Sequence, residues 1–98
     1  MLVKIHEAYR KIVAVCDTEL LGKKFEQDNM QLDVKRDFYG GTEMSEEDAL
    51  KLITKAKKED ACFNFVGKNS INLAIKSGLC DGKSILIIQG VPHCLFLF

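Results

Sequence analysis

Apolar and polar residues follow one another in patterns that predict short strands at the start of the chain. Residues 2–7 combine β-branched side chains with an alternation of apolar and polar positions, and residues 12–16 are an almost unbroken apolar run. The first pattern is typical of a half-buried strand and the second of a central strand. We expect the two to pair as a hairpin, although no Asn-Gly or Asp-Gly marks the turn.

The next stretch predicts a short helix and then a strand. Asp17 offers an N-cap oxygen, and Leu21 and Phe25 are spaced i,i+4, so they would share one face of a helix over residues 19–27. Residues 30–34 alternate strictly between apolar and polar side chains. That alternation predicts a strand with one face in water.

The most regular helical pattern begins at Ser45. Ser45 is a favourable N-cap residue, and Asp48 at the third helical position gives a variant of the capping box. Three acidic residues in the first turn complement the helix dipole. Apolar residues at helical spacing then mark one buried face: Ala49, Leu52, Ile53 and Ala56.

The second half of the chain predicts strand, helix and strand again. Residues 61–66 read as a strand with Phe63 and Phe65 on one face, and the following helix has an apolar stripe of Ile71, Ala74 and Ile75. Residues 84–88 predict a strand, residues 89–92 a break, and residues 94–98 a last strand. The fold expected is α+β in one domain over residues 1–98, a two-layer sandwich with a mixed sheet of about five strands and three helices mainly on one face.

Charge and composition narrow the possible partners. The 98 residues carry 14 basic and 14 acidic side chains, so the net charge is zero and gives no bulk attraction to nucleic acid or membrane. No stretch approaches the length of a membrane span, and the start lacks the pattern of a signal peptide. We therefore expect a cytoplasmic protein in which Cys16, Cys62, Cys80 and Cys94 are thiols.

Several features together resemble a known family. They are the start Leu2-Val3-Lys4-Ile5-His6, the run Phe38-Tyr39-Gly40-Gly41 before an acidic helix start, Val66-Gly67 before the next helix, and Gly90-Val91-Pro92-His93. The chain is similar over essentially its whole length to a family of small archaeal proteins known as domain of unknown function 424. The resemblance implies an archaeal cytoplasmic protein and no established activity.

Two glycine-containing loops are candidate binding sites. Phe38, Tyr39, Gly40 and Gly41 precede a helix whose acidic start disfavours phosphate and favours a cationic or protein partner. Gly67 and Lys68 lie between a strand and a helix, which is the context of an anion site. The second loop is not a P-loop, because Cys62 stands where that motif needs its first glycine. Each loop has an alternative reading as a structural turn.

The end of the chain holds the remaining candidates. His93 beside Cys94 is a candidate for nucleophilic chemistry, or for metal binding in a site assembled in space with Cys80. The cysteines are far apart in sequence, and no CxxC or HxxxH spacing supports a zinc site. Pro92 is the one proline, so its peptide bond is the one for which a cis form is common. The tail of Leu95, Phe96, Leu97 and Phe98 either fills the core or joins copies of the chain.

Three classes of function follow from these features. The first is a non-enzymatic module that binds a protein or RNA partner, with a link to translation or RNA metabolism and with no cofactor or metal. The second is a small enzyme built around His93 and the loop at residues 38–41. The third is a homo-oligomeric structural protein joined through the apolar tail.

Overall fold

A computed structural model describes residues 1–98 as eight strands and three helices. The strands are β1 (Leu2–His6), β2 (Ile12–Cys16), β3 (Lys24–Gln27), β4 (Met30–Asp33), β5 (Thr42–Glu43), β6 (Cys62–Val66), β7 (Leu86–Ile88) and β8 (Val91–Phe96). The helices are α1 (Arg36–Tyr39), α2 (Glu46–Lys58) and α3 (Lys68–Lys76). None of the three is both long enough and apolar enough to pass through a membrane.

Six strands form one mixed sheet, in the order β5-β1-β2-β6-β8-β7. β1 and β2 are antiparallel, as expected of a hairpin, whereas β2 and β6 are parallel neighbours. β8 pairs antiparallel with both β6 and β7. Because β2 and β6 run in the same direction, the segments that follow Cys16 and Val66 lie at the same end of the sheet.

Helices α2 and α3 cover one face of this sheet. Their apolar stripes bury the inward side chains of the central strands, and Phe63 and Phe65 stack with ring centroids 5.7 Å apart. The other face is covered in part by α1 and by the separate β3–β4 hairpin, through Leu32, Val34 and Tyr39. The α+β class with a mixed sheet is confirmed, with six strands in that sheet rather than about five.

The prediction of a helix over residues 19–27 is wrong. Only one 3₁₀ turn forms, at Thr18–Leu20, and β3 then begins at Lys24. Gly22 has φ +83°, which ends any helix there. Phe25 instead pairs with Leu32 across the β3–β4 hairpin. Leu21 and Phe25 therefore do not share a helical face, despite their i,i+4 spacing.

Helix α2 is confirmed as the sequence predicts. The Asp48 N–H donates to Ser45 Oγ at 3.1 Å, and Lys51 Nζ lies 3.5 Å from Glu47 Oε1. In α3 the prediction that Ile75 belongs to the buried stripe is wrong, because Ile75 is 48% exposed while Leu73 is buried. At 100° per residue Leu73 and Ala74 centre the buried face, which leaves Ile75 at its rim.

The last strand starts earlier than predicted. β8 includes Val91, Pro92 and His93, so these residues are in a strand and not in a turn. The turn is the two-residue Gln89-Gly90, with φ of +50° and +80°, and it joins β7 to β8 as a tight hairpin. All peptide bonds are trans, that of Pro92 included.

Candidate functional site

One concave feature that includes predicted residues is a cleft at the end of the sheet where β2 and β6 terminate. It encloses about 290 Å³ and is lined by residues from three segments: Asp17, Glu19, Leu20, Gly67, Lys68, Asn69, Gly90, Val91 and Pro92. A neighbouring cleft of about 350 Å³ shares Asp17, Glu19 and Asn69 with it. In sheets with parallel strands, this carboxyl end is the usual place for ligands.

Asp17 closes the bottom of the cleft. Its carboxylate accepts hydrogen bonds from the backbone N–H groups of Asn69 (3.1 Å) and Ser70 (2.9 Å) and from Ser70 Oγ (2.8 Å). These are the free donors at the start of α3. Asp17 is 4% exposed and its oxygens occupy the position that a bound phosphate would take. The anion site expected at Gly67 and Lys68 is thus filled by a carboxylate of the chain itself.

Gly67 lets that carboxylate approach. Its φ is +105°, and a Cβ on it would overlap Asp17 Cγ. Sequence reasoning assigned Asp17 to cap the segment that directly follows it, whereas it caps a helix that begins about fifty residues later. The signal available in the sequence was indirect: a helix start at Gly67 has no capping side chain of its own.

The loop predicted from Phe38 to Gly41 is wrong in its first half, because Phe38 and Tyr39 end helix α1 and only Gly40 and Gly41 connect it to β5. Tyr39 is 4% exposed, and burial raises its pKa well above the usual range, so its hydroxyl stays protonated. Phe38 stacks on His6 with ring centroids 4.6 Å apart, and His6 Nε2 lies 2.8 Å from the Phe38 carbonyl oxygen. Neither Gly40 nor Gly41 has positive φ, and a Cβ on Gly41 would overlap the Val3 carbonyl oxygen. The second glycine is needed for this close backbone approach.

His93 and Cys94 are adjacent in sequence and lie on opposite faces of β8. Cys94 packs under α3, where Ser84 Oγ lies 3.6 Å from its sulfur and 3.4 Å from that of Cys80. Burial raises the pKa of Cys94 to about 11 and lowers that of His93. The structure brings Cys80 and Cys94 together, leaves His93 out, and shows no group of three His, Cys, Asp or Glu residues that could hold a metal ion.

The candidates from sequence do not meet at one place. Lys68 lines the cleft, Tyr39 is buried under the sheet, and His93 faces the side of the sheet away from α3. Two strands, β2 and β6, separate β1, where Phe38 stacks on His6, from β8, which carries His93. No chemistry that needs these side chains in contact is supported by this arrangement.

Comparison with known proteins shows the family to which the chain belongs. The model of the family described as "Protein of unknown function (DUF424)" matches residues 5–97. The chain belongs to this family. The fold of this DUF424 protein is similar to the crystal structure of an uncharacterized conserved protein from Methanopyrus kandleri, with a TM-score of 0.85 and 28% identity over 97% of this chain and 88% of that one. No curated protein matches it.

The last two strands and the tail of the DUF424 chain expose apolar side chains on both faces of the sheet edge. We call this set the C-terminal apolar surface, and its members are at least 48% exposed: Leu86, Ile87, Leu95, Leu97 and Phe98. Phe96 is different, because it packs into the core with its ring centroid 6.3 Å from that of Phe63. One side chain of the tail therefore packs against the core, as the first alternative predicted, and the other three stay exposed.

The two edges of the six-stranded sheet differ sharply. β5, at one edge, has two residues, and Glu43 in it carries a charge. β7, at the other edge, has three apolar residues, and residues 84–98 contain no Asp, Glu, Lys or Arg. Short length and charge are the usual protections of an edge strand against pairing. In this DUF424 protein the β5 edge has both, while the β7 edge lacks charge.

Proposed function

We propose that this DUF424 protein is a protein-interaction module that binds an extended segment of a partner along β7. The observation that carries the proposal is the β7 edge, where no strand pairs with Ile87 on the side away from β8. This edge is flanked by the exposed side chains of the C-terminal apolar surface and, beyond Ile88, by the β3–β4 hairpin, which exchanges hydrogen bonds with Gln89. Clusters of exposed apolar side chains mark interaction sites on protein surfaces. Here the cluster contrasts with a chain in which 29% of the residues are charged.

Backbone geometry at β7 supports strand addition. Ile87 lies opposite Pro92, which has no N–H, and the Pro92 carbonyl oxygen accepts from the Gly67 N–H at 2.9 Å, away from β7. This pair therefore exchanges no hydrogen bonds, and the alternation of antiparallel ladders points the N–H and C=O of Ile87 outward. A partner strand would satisfy both groups, while side-chain contacts to Leu86 and Leu95 would select apolar residues.

RNA is the partner class that this geometry favours less. Lys51, Lys55 and Lys58 line the outer face of α2 at helical spacing, but Lys51 is paired with Glu47. The Methanopyrus neighbour is consistent with the archaeal setting that the family resemblance implies, and a role beside the translation machinery would suit either partner class. A cytoplasmic location is part of this proposal, as the family resemblance implies.

Selection of peptides tests the proposal. From a displayed library of random peptides, the wild-type protein is expected to enrich extended sequences with alternating apolar residues. Ile87→Pro should abolish the enrichment, because it removes the outward N–H and leaves the pairing with β8 intact. Ile87→Val keeps the N–H and a β-branched side chain and should bind as the wild type does.

Two results would contradict the proposal. One is enrichment of the same peptides by Ile87→Pro, since the edge would then not be the binding site. The other is a wild-type protein that enriches no peptide and binds single-stranded RNA with an affinity that falls as salt is raised, which is the mark of phosphate contacts.

A further inference from the structure

We infer that the β7 edge binds the β7 edge of a second copy of this chain, antiparallel, around a twofold axis beside Ile87. The inference rests on the proposed function, because it names the occupant of the same edge. It joins the two six-stranded sheets into one continuous sheet.

Hydrogen bonding at this edge is self-complementary. Ile87 carries the outward N–H and C=O of the three-residue strand, and its partner in β8 is Pro92. In an antiparallel ladder, two directly opposed residues exchange both of their backbone hydrogen bonds. Ile87 opposite Ile87 of a second copy is such a pair, and a twofold axis between them satisfies all four groups with no shift of register.

Charge also favours a second copy over an unlike partner. A twofold contact places each group opposite the same surface, so any net local charge would repel itself. Residues 84–98 have no charged side chain apart from the titratable His93, and the whole chain has a net charge of zero. Because burial lowers the pKa of His93, that imidazole is neutral near pH 7. Residues 84–98 therefore offer an unlike partner no charged side chain to recognise, and the nearest charges belong to the β3–β4 hairpin, where the Glu26 N–H donates to Gln89 Oε1.

Side chains at the axis complete the contact. Ile87 is 56% exposed and Leu86 is 54% exposed, on opposite faces of the short strand. Opposed residues of paired strands bring their Cβ atoms to about 5 Å, so the two Ile87 side chains would pack together on one face. On the other face Leu86 lies directly opposite His93, and Leu95, two residues farther along β8, is its diagonal neighbour on the same face.

The mass in solution as a function of concentration tests this inference. Light scattering after gel filtration, from about 1 µM to about 500 µM, is expected to show a rise from 11.0 kDa toward twice that value. Ile87→Lys places two like charges at the axis and should raise the dissociation constant by about tenfold or more. Tyr9→Lys adds the same charge at a fully exposed turn and should leave dimerisation unchanged.

Circular dichroism of each variant separates lost association from lost folding, and Ile87→Thr, which keeps a β-branched side chain, provides a second edge variant. A wild-type protein that remains at the mass of one chain at the highest concentration would overturn the inference. Dimerisation that Ile87→Lys leaves intact would also overturn it. If the protein is monomeric and still enriches extended peptides, the inference fails while the proposed function stands; if neither occurs, both fail.

Discussion

Replacing Gly67 by Ala is expected to lower the free energy of unfolding by about 3 kcal/mol or more, because two costs combine at this residue. The φ of +105° is one that side-chain-bearing residues rarely adopt. The added methyl group would also displace the buried Asp17 carboxylate from the start of α3. Urea denaturation followed by circular dichroism measures the change.

Two other glycines provide matched controls for this prediction. Gly90 has φ +80° with nothing within 4 Å of an added Cβ, so Gly90→Ala carries the strain alone, about 1 kcal/mol. Gly82 has open space and no positive φ, so Gly82→Ala should be neutral or slightly stabilising. If Gly67→Ala costs no more than Gly90→Ala, the close contact with Asp17 does not exist in solution.

Replacing Asp17 by Ala is expected to cost about 2–4 kcal/mol, since it leaves buried donors at the start of α3 without an acceptor. Three hydrogen bonds of 2.8–3.1 Å are lost, from the Asn69 N–H, the Ser70 N–H and Ser70 Oγ. The comparison is Ser45→Ala, which removes one exposed capping bond to Asp48 in α2 and should cost about 1 kcal/mol.

A double-mutant cycle tests whether Asp17 and Ser70 are in direct contact. Ser70→Ala alone removes one of the three donors to Asp17, so its effect in the Asp17→Ala background should be smaller than in the wild type by about 0.5 kcal/mol or more. Additive effects of the two substitutions would contradict the direct contact. Equal losses from Asp17→Ala and Ser45→Ala would show that the buried cap is worth no more than an exposed one.

Local patterns predicted the parts of the fold that local forces determine. Helix α2 carries its own N-cap, its dipole-matched charges and its apolar face within consecutive turns, so its extent was predictable. The segment around Phe25 was not, because a short amphipathic stretch fits helix and strand almost equally well. There the cross-strand pairing with Leu32 decides the structure, and that contact depends on the two-residue turn Asp28-Asn29 between the strands.

The candidate site depends on contacts between distant segments, which one sequence does not reveal. The proximity of Asp17 and Ser70 results from β2 and β6 being parallel neighbours, and no spacing in the chain encodes that pairing. His93 and Cys94 looked like partners because they are consecutive, yet alternation along β8 separates them. The apolar tail was readable as a possible contact surface, since its composition alone departs from the charged remainder of the chain.

The open β7 edge is the central claim, and hydrogen exchange of the Ile87 amide tests it most directly. In dilute protein this N–H should exchange within about tenfold of the rate of an unfolded peptide, whereas the Gly67 N–H, bonded to the Pro92 carbonyl oxygen at 2.9 Å, should be strongly protected. Raising the protein concentration, or adding a selected peptide, should protect Ile87. An Ile87 amide already protected in the dilute protein, or one that no partner protects, would contradict the account.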